Sequence, residues 1–397
     1  MKIVADANIP FVVECFSSIG EVEVFAGREI KPSVVAGADI LLVRSVTRVD
    51  ASLLRKSRVR FVGTATIGFE HIDVDYLRER DIGFASAPGS NANSVAEYVV
   101  AGLLEVGQKH NIGLEGKSIG IVGVGNVGGR VAEKAAALGM KVYLNDPPLQ
   151  RQSGDAKYRP AIRHPLRDLE ELFGCDFVTL HTPLTFEGED KTFHLADERF
   201  FDSLKAGCVF FNTARGGVAD TSALKNAIKS GRLKAVVLDV WEDEPAIDTE
   251  LLEMVDIGTP HIAGYSLDGK AGGAIMIYKA ACEYFGLESK FDIDSFLPAP
   301  AVSELKVNPQ AGSEQEAVRE AVKEIYDIEK DDFNLRWILD KPKGKRGVFF
   351  DKLRKEYPIR REFQNTQIRI ADSGQRTADS RKIAEKLQGI GFRLSQE

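Results

Sequence analysis

The chain has 397 residues, 44% hydrophobic and 28% charged. This balance suits two or three globular domains and excludes wholesale disorder, collagen-like repetition and coiled coil. Its 59 acidic and 52 basic residues leave a formal net charge of −7, so no global attraction to nucleic acid or to an anionic membrane is expected. No apolar run approaches a membrane span, and MKIVADANIP lacks the basic start and long apolar stretch of a secretory signal, so a cytoplasmic location is expected. Cys15, Cys175, Cys208 and Cys282 lie far apart without a CxxC pair. They read as reduced core fillers, and no metal site is expected. The charge is uneven: residues 291–397 carry 20 basic and 19 acidic side chains, so the other 290 hold a net −8.

In chain order, MKIVAD, EVEVFA, DILLVRS, RFVGTAT and IGFASAP read as strands, with helical patterns at Ile9–Gly20, Ala51–Lys56 and Asp75–Arg80 between them. Strands alternating with helices imply a parallel sheet with right-handed crossovers. Asn91–Gln108 is a long amphipathic helix with Ser90 or Asn91 as cap. A second alternating region follows: the strand KSIGIVG, a helix over Asn126–Leu138 closed by Gly139, then KVYLND, FVTLHT, CVFFNTA, AVVLDV and DIGTPHI. After Leu287, DSFLPAPAVSELKVNP carries three prolines and reads as a linker or extended wrap. Helices are expected at Glu314–Tyr326 and Asp379–Gln388. Lys341–Arg361 holds nine basic and two acidic residues, and such a run reads as disorder or a solvated face, or else brings a cation to the cleft of its own or a partner subunit, with Arg346 as candidate.

Residues Gly123, Gly125 and Gly128 form GxGxxG, with Asn126 and Val127 between them. The pattern follows a buried strand, opens a helix, and is followed 18 residues on by Asp146 at the end of the next strand. That is a dinucleotide fingerprint: Gly123 for the tight turn, Gly125 for approach of a pyrophosphate, Gly128 for helix–strand packing, and the helix N-terminus for the phosphates. A carboxylate at Asp146 accepts from a ribose 2′-OH and repels a 2′-phosphate, favouring NAD. Arg151 stands nearby, and Pro147-Pro148 stiffens the segment that would direct it elsewhere.

Three charged residues follow successive strands: Arg215 in FFNTARGG, Glu244 in LDVWEDEP and His261 in GTPHIAGYS. Strand ends of an open parallel sheet share one crevice. A guanidinium there can clamp a carboxylate and polarise the neighbouring oxygen, an imidazole can take a hydroxyl proton, and a carboxylate can hold that imidazole. The fingerprint, NTARG, DVWEDEP and PHIAG together resemble the D-isomer-specific 2-hydroxyacid dehydrogenases over residues 1–287. LLVRSVTRV, FVGTATIGFEHID, SAPGSNANSVAEYV, LNDPP and PHIAGYS are similar to the branch of that family that oxidises 4-phosphoerythronate at C2 in vitamin B6 biosynthesis, and this narrower resemblance continues to the C-terminus.

The resemblance implies a doubly wound Rossmann-type α/β nucleotide domain at 99–261, a flavodoxin-like α/β substrate domain from 1–98 with 262–290, and an α+β C-terminal dimerisation domain at 291–397. The active site would lie in the cleft, with helices near Asn91–Gln108 and Ala271–Phe285 as the crossings. Arg215 would bind and polarise substrate, His261 would carry the proton and Glu244 would be its partner. Ser45, Thr66 and Tyr265 would touch substrate. Asp146, Thr182, Thr213, Ala214, Arg215, Asp239 and Gly264 would contact NAD. For a substrate phosphate, Arg44 and Arg48 are candidates by charge. Ser45 and Thr66 also suit strand termination through their hydroxyls, and His181 suits a cofactor-side or structural place. The expected partners are a phosphorylated 2-hydroxy acid and a second copy of the chain. Another substrate of the family, such as 3-phosphoglycerate, and a non-catalytic NAD-sensing role as in co-repressor relatives remain open.

Overall fold

The computed structural model describes residues 1–152, 164–310, 312–371 and 378–395. The chain divides into two compact units, Met1–Asn93 with Tyr265–Ala299, and Ser94–Gly264 with Pro300–Glu397.

The first unit is built on five parallel strands, β1 (Lys2–Asp6), β2 (Glu21–Phe25), β3 (Ile40–Val43), β4 (Phe61–Thr64) and β5 (Gly83–Ala85), in the order β2-β1-β3-β4-β5. This is the flavodoxin-like winding, with the switch point between β1 and β3. Strands β1, β3 and β4 are apolar almost without interruption because both faces are covered. Alternate residues divide between two cores. Ile3, Ala5, Ile40, Leu42 and Phe61 pack under the Leu267–Tyr284 helix with Ile277 and Tyr278. Val4, Leu41, Val43 and Val62 pack on the other side with Leu53, Leu54 and Leu77.

The second unit holds six parallel strands, β6 (Ser118–Val122), β7 (Lys141–Asn145), β8 (Phe177–Leu180), β9 (Cys208–Asn212), β10 (Leu233–Leu238) and β11 (Ile257–Gly258), in the order β11-β10-β9-β8-β6-β7. The order reverses between β6 and β8, so the Rossmann-type crevice opens at their C-terminal ends. The Ala92–His110 helix covers one face, where Gly102 lets Phe211 and Val237 approach its backbone. All four cysteines are free and buried, and burial pushes Cys15, Cys175 and Cys208 to about 12, 11 and 12. They are unreactive fillers at neutral pH.

The C-terminal region has its own parallel sheet, β12 (Glu304–Val307), β13 (Gln367–Ile370) and β14 (Arg393–Leu394), with four helices, Glu314–Ile325, Ile328–Arg336, Lys343–Lys355 and Ala378–Ile390. The proline-bearing segment is thus not a linker throughout. Glu304–Val307 pairs with β13, turning Val307 into the core. Nor is Lys341–Arg361 a disordered run: it contains a helix, and Arg360 and Arg361 are buried. Leu335, Ile338 and Phe350 join one core with Trp241, which follows β10, and with Leu251, Leu252 and Val255 of the Thr249–Met254 helix and its C-cap. Glu362 and Phe363 are stapled to the Ala92–His110 helix. Ser94 Oγ donates to Glu362 (2.6 Å) and the Phe363 N–H donates to Glu97 (2.8 Å), while Gln364 donates to Glu362 within the segment (3.0 Å).

Burial, and then the neighbouring Glu362 charge, push Glu97 up to about 8 from an ordinary value near 4.5. The folded protein therefore holds a proton that the unfolded chain has lost across that range, and stability falls as pH rises through it. In a series of thermal melts, Glu97→Gln should gain on the wild type progressively from pH 5 to 8. A constant difference would show that Glu97 is ionised throughout.

The Gly-rich loop gives a paired expectation. A Cβ on Gly128 would fall 1.9 Å from the Gly123 carbonyl, whereas one on Gly125 meets nothing within 4 Å. Gly128→Ala should therefore lower the thermal midpoint by several degrees, roughly the effect of 1–3 kcal/mol of overpacking. Gly125→Ala should leave it unchanged.

Candidate functional site

The loop between β6 and the Asn126–Ala137 helix is shaped by its glycines. Gly123 sits at φ +86°, and a Cβ there would strike the His181 backbone at 2.8 Å. The helices at Glu198–Ser203, Thr221–Lys229 and Thr249–Met254 are capped by Asp197, Asp220 and Asp248. The Asn126–Ala137 helix begins at Gly125 with no side-chain cap. Among the described residues no side chain caps its first N–H groups and positive dipole end, an arrangement suited to phosphate. Asp146, at the end of β7, accepts the Val124 N–H (2.8 Å) with one oxygen and the Leu149 N–H (2.9 Å) with the other. The acid is thereby held against the Gly-rich turn. Arg151 is drawn away from it into ion pairs with Asp190 and with Glu189 (3.7 Å), so it does not offset the preference for a free 2′-hydroxyl.

After β8, His181 is clasped on both ring nitrogens, by Thr179 Oγ1 (2.9 Å) and Thr213 Oγ1 (3.1 Å). Desolvation holds it down to about 3, so it is neutral and structural. Thr182 beside it has a buried hydroxyl with no hydrogen-bond partner among the described residues. A buried orphan hydroxyl is costly unless a ligand completes it. The uncapped helix, the open space at Gly125 and this hydroxyl fit a dinucleotide.

Arg215 follows β9. Asn212 fixes the turn by accepting the Ala214 N–H (3.0 Å) and donating to the Arg215 carbonyl (3.1 Å), while Arg215 Nη1 donates to Ala214 O (2.9 Å). Gly216 allows that turn to lie against the next strand end, since a Cβ there would fall 1.9 Å from Trp241 O. Glu244 accepts the Trp241 N–H (2.9 Å) with Oε1 and holds His261 Nδ1 at 2.7 Å with Oε2. Burial opposes ionisation of Glu244, but the His261 charge and hydrogen bond, together with the Trp241 N–H, outweigh it and hold the carboxyl below the usual range. His261 is 32% exposed and has left-handed backbone at φ +57°. With Nδ1 donating to Glu244, its Nε2 makes no hydrogen bond among the described residues.

The loop bearing His261 hangs on Asp239, which is 1% exposed. Its carboxylate accepts from Thr259 Oγ1 (2.6 Å), Ile262 N (2.7 Å) and Ala263 N (2.9 Å), and its carbonyl accepts the His261 N–H (2.7 Å). Thr259 spends its one proton on Asp239, so the Tyr98 hydroxyl is the donor in the 2.7 Å Tyr98–Thr259 contact. Trp241 Nε1 donates to Thr259 O (2.9 Å). Sequence reading missed Asn212, Tyr98, Trp241 and Thr259 as supports. Asn212 and Thr259 stood inside the motifs NTARG and GTPHI and were the legible ones.

In the first unit, Arg44, Ser45 and Thr66 follow β3 and β4 at the C-terminal edge of the sheet. Arg44 Nη1 donates to Asn8 O (3.3 Å), and Ser45 is exposed. Thr66 donates to Gly68 O (2.8 Å) and contacts Thr64 Oγ1 (2.7 Å), which in turn meets His71 Nε2 (3.0 Å). The strand-terminating role expected of such a hydroxyl is therefore present at Thr66. Tyr265 lies under Lys270, whose Nζ is 4.3 Å from the ring centre, next to Gly264 at the end of the second unit's loop. Arg48 is paired on the surface with Asp50 (3.0 Å). Arg346 donates to Thr249 Oγ1 (2.9 Å), Lys341 O (3.1 Å) and Leu339 O (3.4 Å), and so braces the chain.

The family model described as D-isomer specific 2-hydroxyacid dehydrogenase, NAD binding domain, matches residues 90–263, and a domain of unknown function matches residues 296–385. The chain is 41% identical to the erythronate-4-phosphate dehydrogenase of Proteus mirabilis over all of both chains. It is 44% identical to that of Marinobacter nauticus over 99% of this chain and 100% of the other. Among solved structures, D-lactate dehydrogenase from Aquifex aeolicus, complexed with NAD and lactic acid, superposes with a TM-score of 0.58 at 26% identity. The match covers 72% of this chain and 95% of that one. A protein of Thermus thermophilus gives 0.62 at 26% identity, over 73% and 98%. With the NAD-binding loop, the strand-end residues and full-length relatives in agreement, the chain belongs to the erythronate-4-phosphate dehydrogenases, within the D-isomer-specific 2-hydroxyacid dehydrogenase family.

Proposed function

We propose that this chain catalyses the NAD-dependent oxidation of 4-phospho-D-erythronate at C2, giving the 2-oxo acid, (R)-3-hydroxy-2-oxo-4-phosphooxybutanoate, in vitamin B6 biosynthesis. The observation that carries the reading is the Glu244–His261 pair at 2.7 Å with an imidazole nitrogen unengaged among the described residues, in the same unit as Arg215 and a dinucleotide loop. The full-length relatives named for this reaction support the choice of substrate.

In this reading the fingerprint Gly123–Gly128, Asp146, Thr182, the Thr213–Arg215 backbone, Asp239 and Gly264 hold NAD, with Asp146 on the ribose hydroxyls and Thr182 supplying its orphan hydroxyl. Bound NAD supplies the hydride acceptor. Arg215 takes the substrate carboxylate and polarises the C2 oxygen. His261 Nε2 accepts the C2 hydroxyl proton as the C2–H bond breaks, and the ionised Glu244 stabilises the imidazolium so formed. Ser45, Thr66 and Tyr265 bind the rest of the substrate, and Arg44 takes its phosphate. We further propose that a second copy of the chain covers the exposed side chains Phe333, Trp337, Val348 and Ile359 of the C-terminal region. Phe333 and Trp337 meet edge to face there, with ring centres 5.8 Å apart, and exposed large apolar side chains are the usual mark of such a surface.

His261→Gln should lower kcat by roughly 10²–10⁴ while NADH binding, followed by nicotinamide fluorescence, stays within about twofold. Retained turnover would remove His261 from its role, and activity on 3-phosphoglycerate without activity on 4-phosphoerythronate would change the substrate.

Arg44→Ala should raise KM for 4-phosphoerythronate roughly 10- to 100-fold, the worth of one charged hydrogen bond. The unphosphorylated acid should lose much less. Equal losses on both substrates would take the phosphate away from Arg44.

A further inference from the structure

Arg360 follows the Lys343–Lys355 helix and is 6% exposed. Its Nη2 donates to Ala263 O (2.9 Å) and Ser94 O (3.4 Å), and its guanidinium lies over Tyr326 with Cζ 4.1 Å from the ring centre. Those two carbonyls have special places in the chain. The backbone enters the second unit between Asn93 and Ser94 and leaves it between Gly264 and Tyr265. One nitrogen therefore grips the second unit's end of two of the three crossings, the third lying between Ala299 and Pro300. Glu362, two residues on, holds the Ser94 hydroxyl as well (2.6 Å). Glu362 offsets the charge of the buried guanidinium.

Ala263 lies two residues after His261. Asp239 holds the N–H side of that loop, at Ile262 and Ala263, and Arg360 holds the carbonyl side. His261 sits at φ +57°, a conformation that a side-chain-bearing residue keeps only where its surroundings over-determine it. We propose that Arg360 is a positioning residue for turnover: the C-terminal region supplies it to fix the Ala263 carbonyl, and so the direction in which His261 presents Nε2. This rests on the reading of His261 as the base. It gives a catalytic consequence to a region whose family model is a domain of unknown function.

The test uses the full-length protein with NAD and 4-phosphoerythronate. Arg360→Lys keeps the charge but ends short of the carbonyls. Arg360→Met with Glu362→Gln removes the buried cation together with an anion, which guards against misfolding from an unbalanced charge. Both should lower kcat about 10- to 100-fold, the scale of a small misplacement of a reacting group. KM for NAD and NADH binding should stay within about threefold. Amide hydrogen exchange at Ile262–Gly264 should quicken about tenfold, while exchange in β9 does not change. A variant that melts earlier yet keeps wild-type kcat and wild-type exchange at Ile262–Gly264 would make Arg360 a stability element alone and overturn the proposal. The exchange arm does not depend on activity. Loosened exchange with unchanged kcat would point instead to a failure of the His261 assignment, which His261→Gln tests directly.

Discussion

A carboxylate sealed from water ties the chemistry to the scaffold. Asp239 ends β10, and desolvation pushes its pKa up even though Thr259 and the N–H groups of Ile262 and Ala263 favour its charge. Ionised, it needs those donors; the donors, lying in an irregular loop, have no other partners in the sheet. Each satisfies the other, and the result is a fixed path for residues 259–263. The left-handed backbone of His261 is tolerable only on that path. Tyr98 and Trp241 extend the same network outward, so the loop is anchored to a helix and to the neighbouring strand end as well.

The C-terminal region shows how a near-neutral stretch can be rich in charge without being a charged surface. Arg319 binds Glu105, with Nη1 3.0 Å from each oxygen. Arg336 donates to the carbonyls of Leu252 and Val255, Arg346 to Thr249, and Arg360 to Ser94 and Ala263. These guanidiniums close helix ends and loop carbonyls of the nucleotide sheet, a task for which a planar fork of donors is suited. The charge contrast along the chain reflects internal bracing, and the apolar side chains of the same region complete the core around Trp241 and Leu252.

Much of the fold could be read from the sequence because apolar runs buried on both faces, punctuated by small residues, have few other meanings. The strands of both large sheets and the Asn126–Ala137 helix fall where the pattern put them. Glu304–Val307 escaped notice because nearby prolines hide a four-residue strand whose partner lies some sixty residues away. The Lys343–Lys355 helix escaped because its charge dominates its single fully buried residue, Phe350. At the site, the residues that carry chemistry stood in motifs. Of the residues that position them, Asn212, Trp241 and Thr259 stood in the same motifs, but the roles of Tyr98 and Arg360 were hidden, because they act through contacts 161 and 97 positions away in sequence and no local pattern encodes such a distance.

The approach of Gly216 to Trp241 has a thermodynamic consequence. It presses the turn holding Arg215 against the turn that leads into Glu244, and Glu244 in turn holds His261. The guanidinium and the imidazole thus belong to one rigid piece whose internal spacing is settled when the chain folds. Entropy lost in bringing an anion clamp and a base into register is charged to folding and does not recur in each turnover. The barrier to the chemical step should accordingly be mainly enthalpic, with little activation entropy arising from the protein's own ordering.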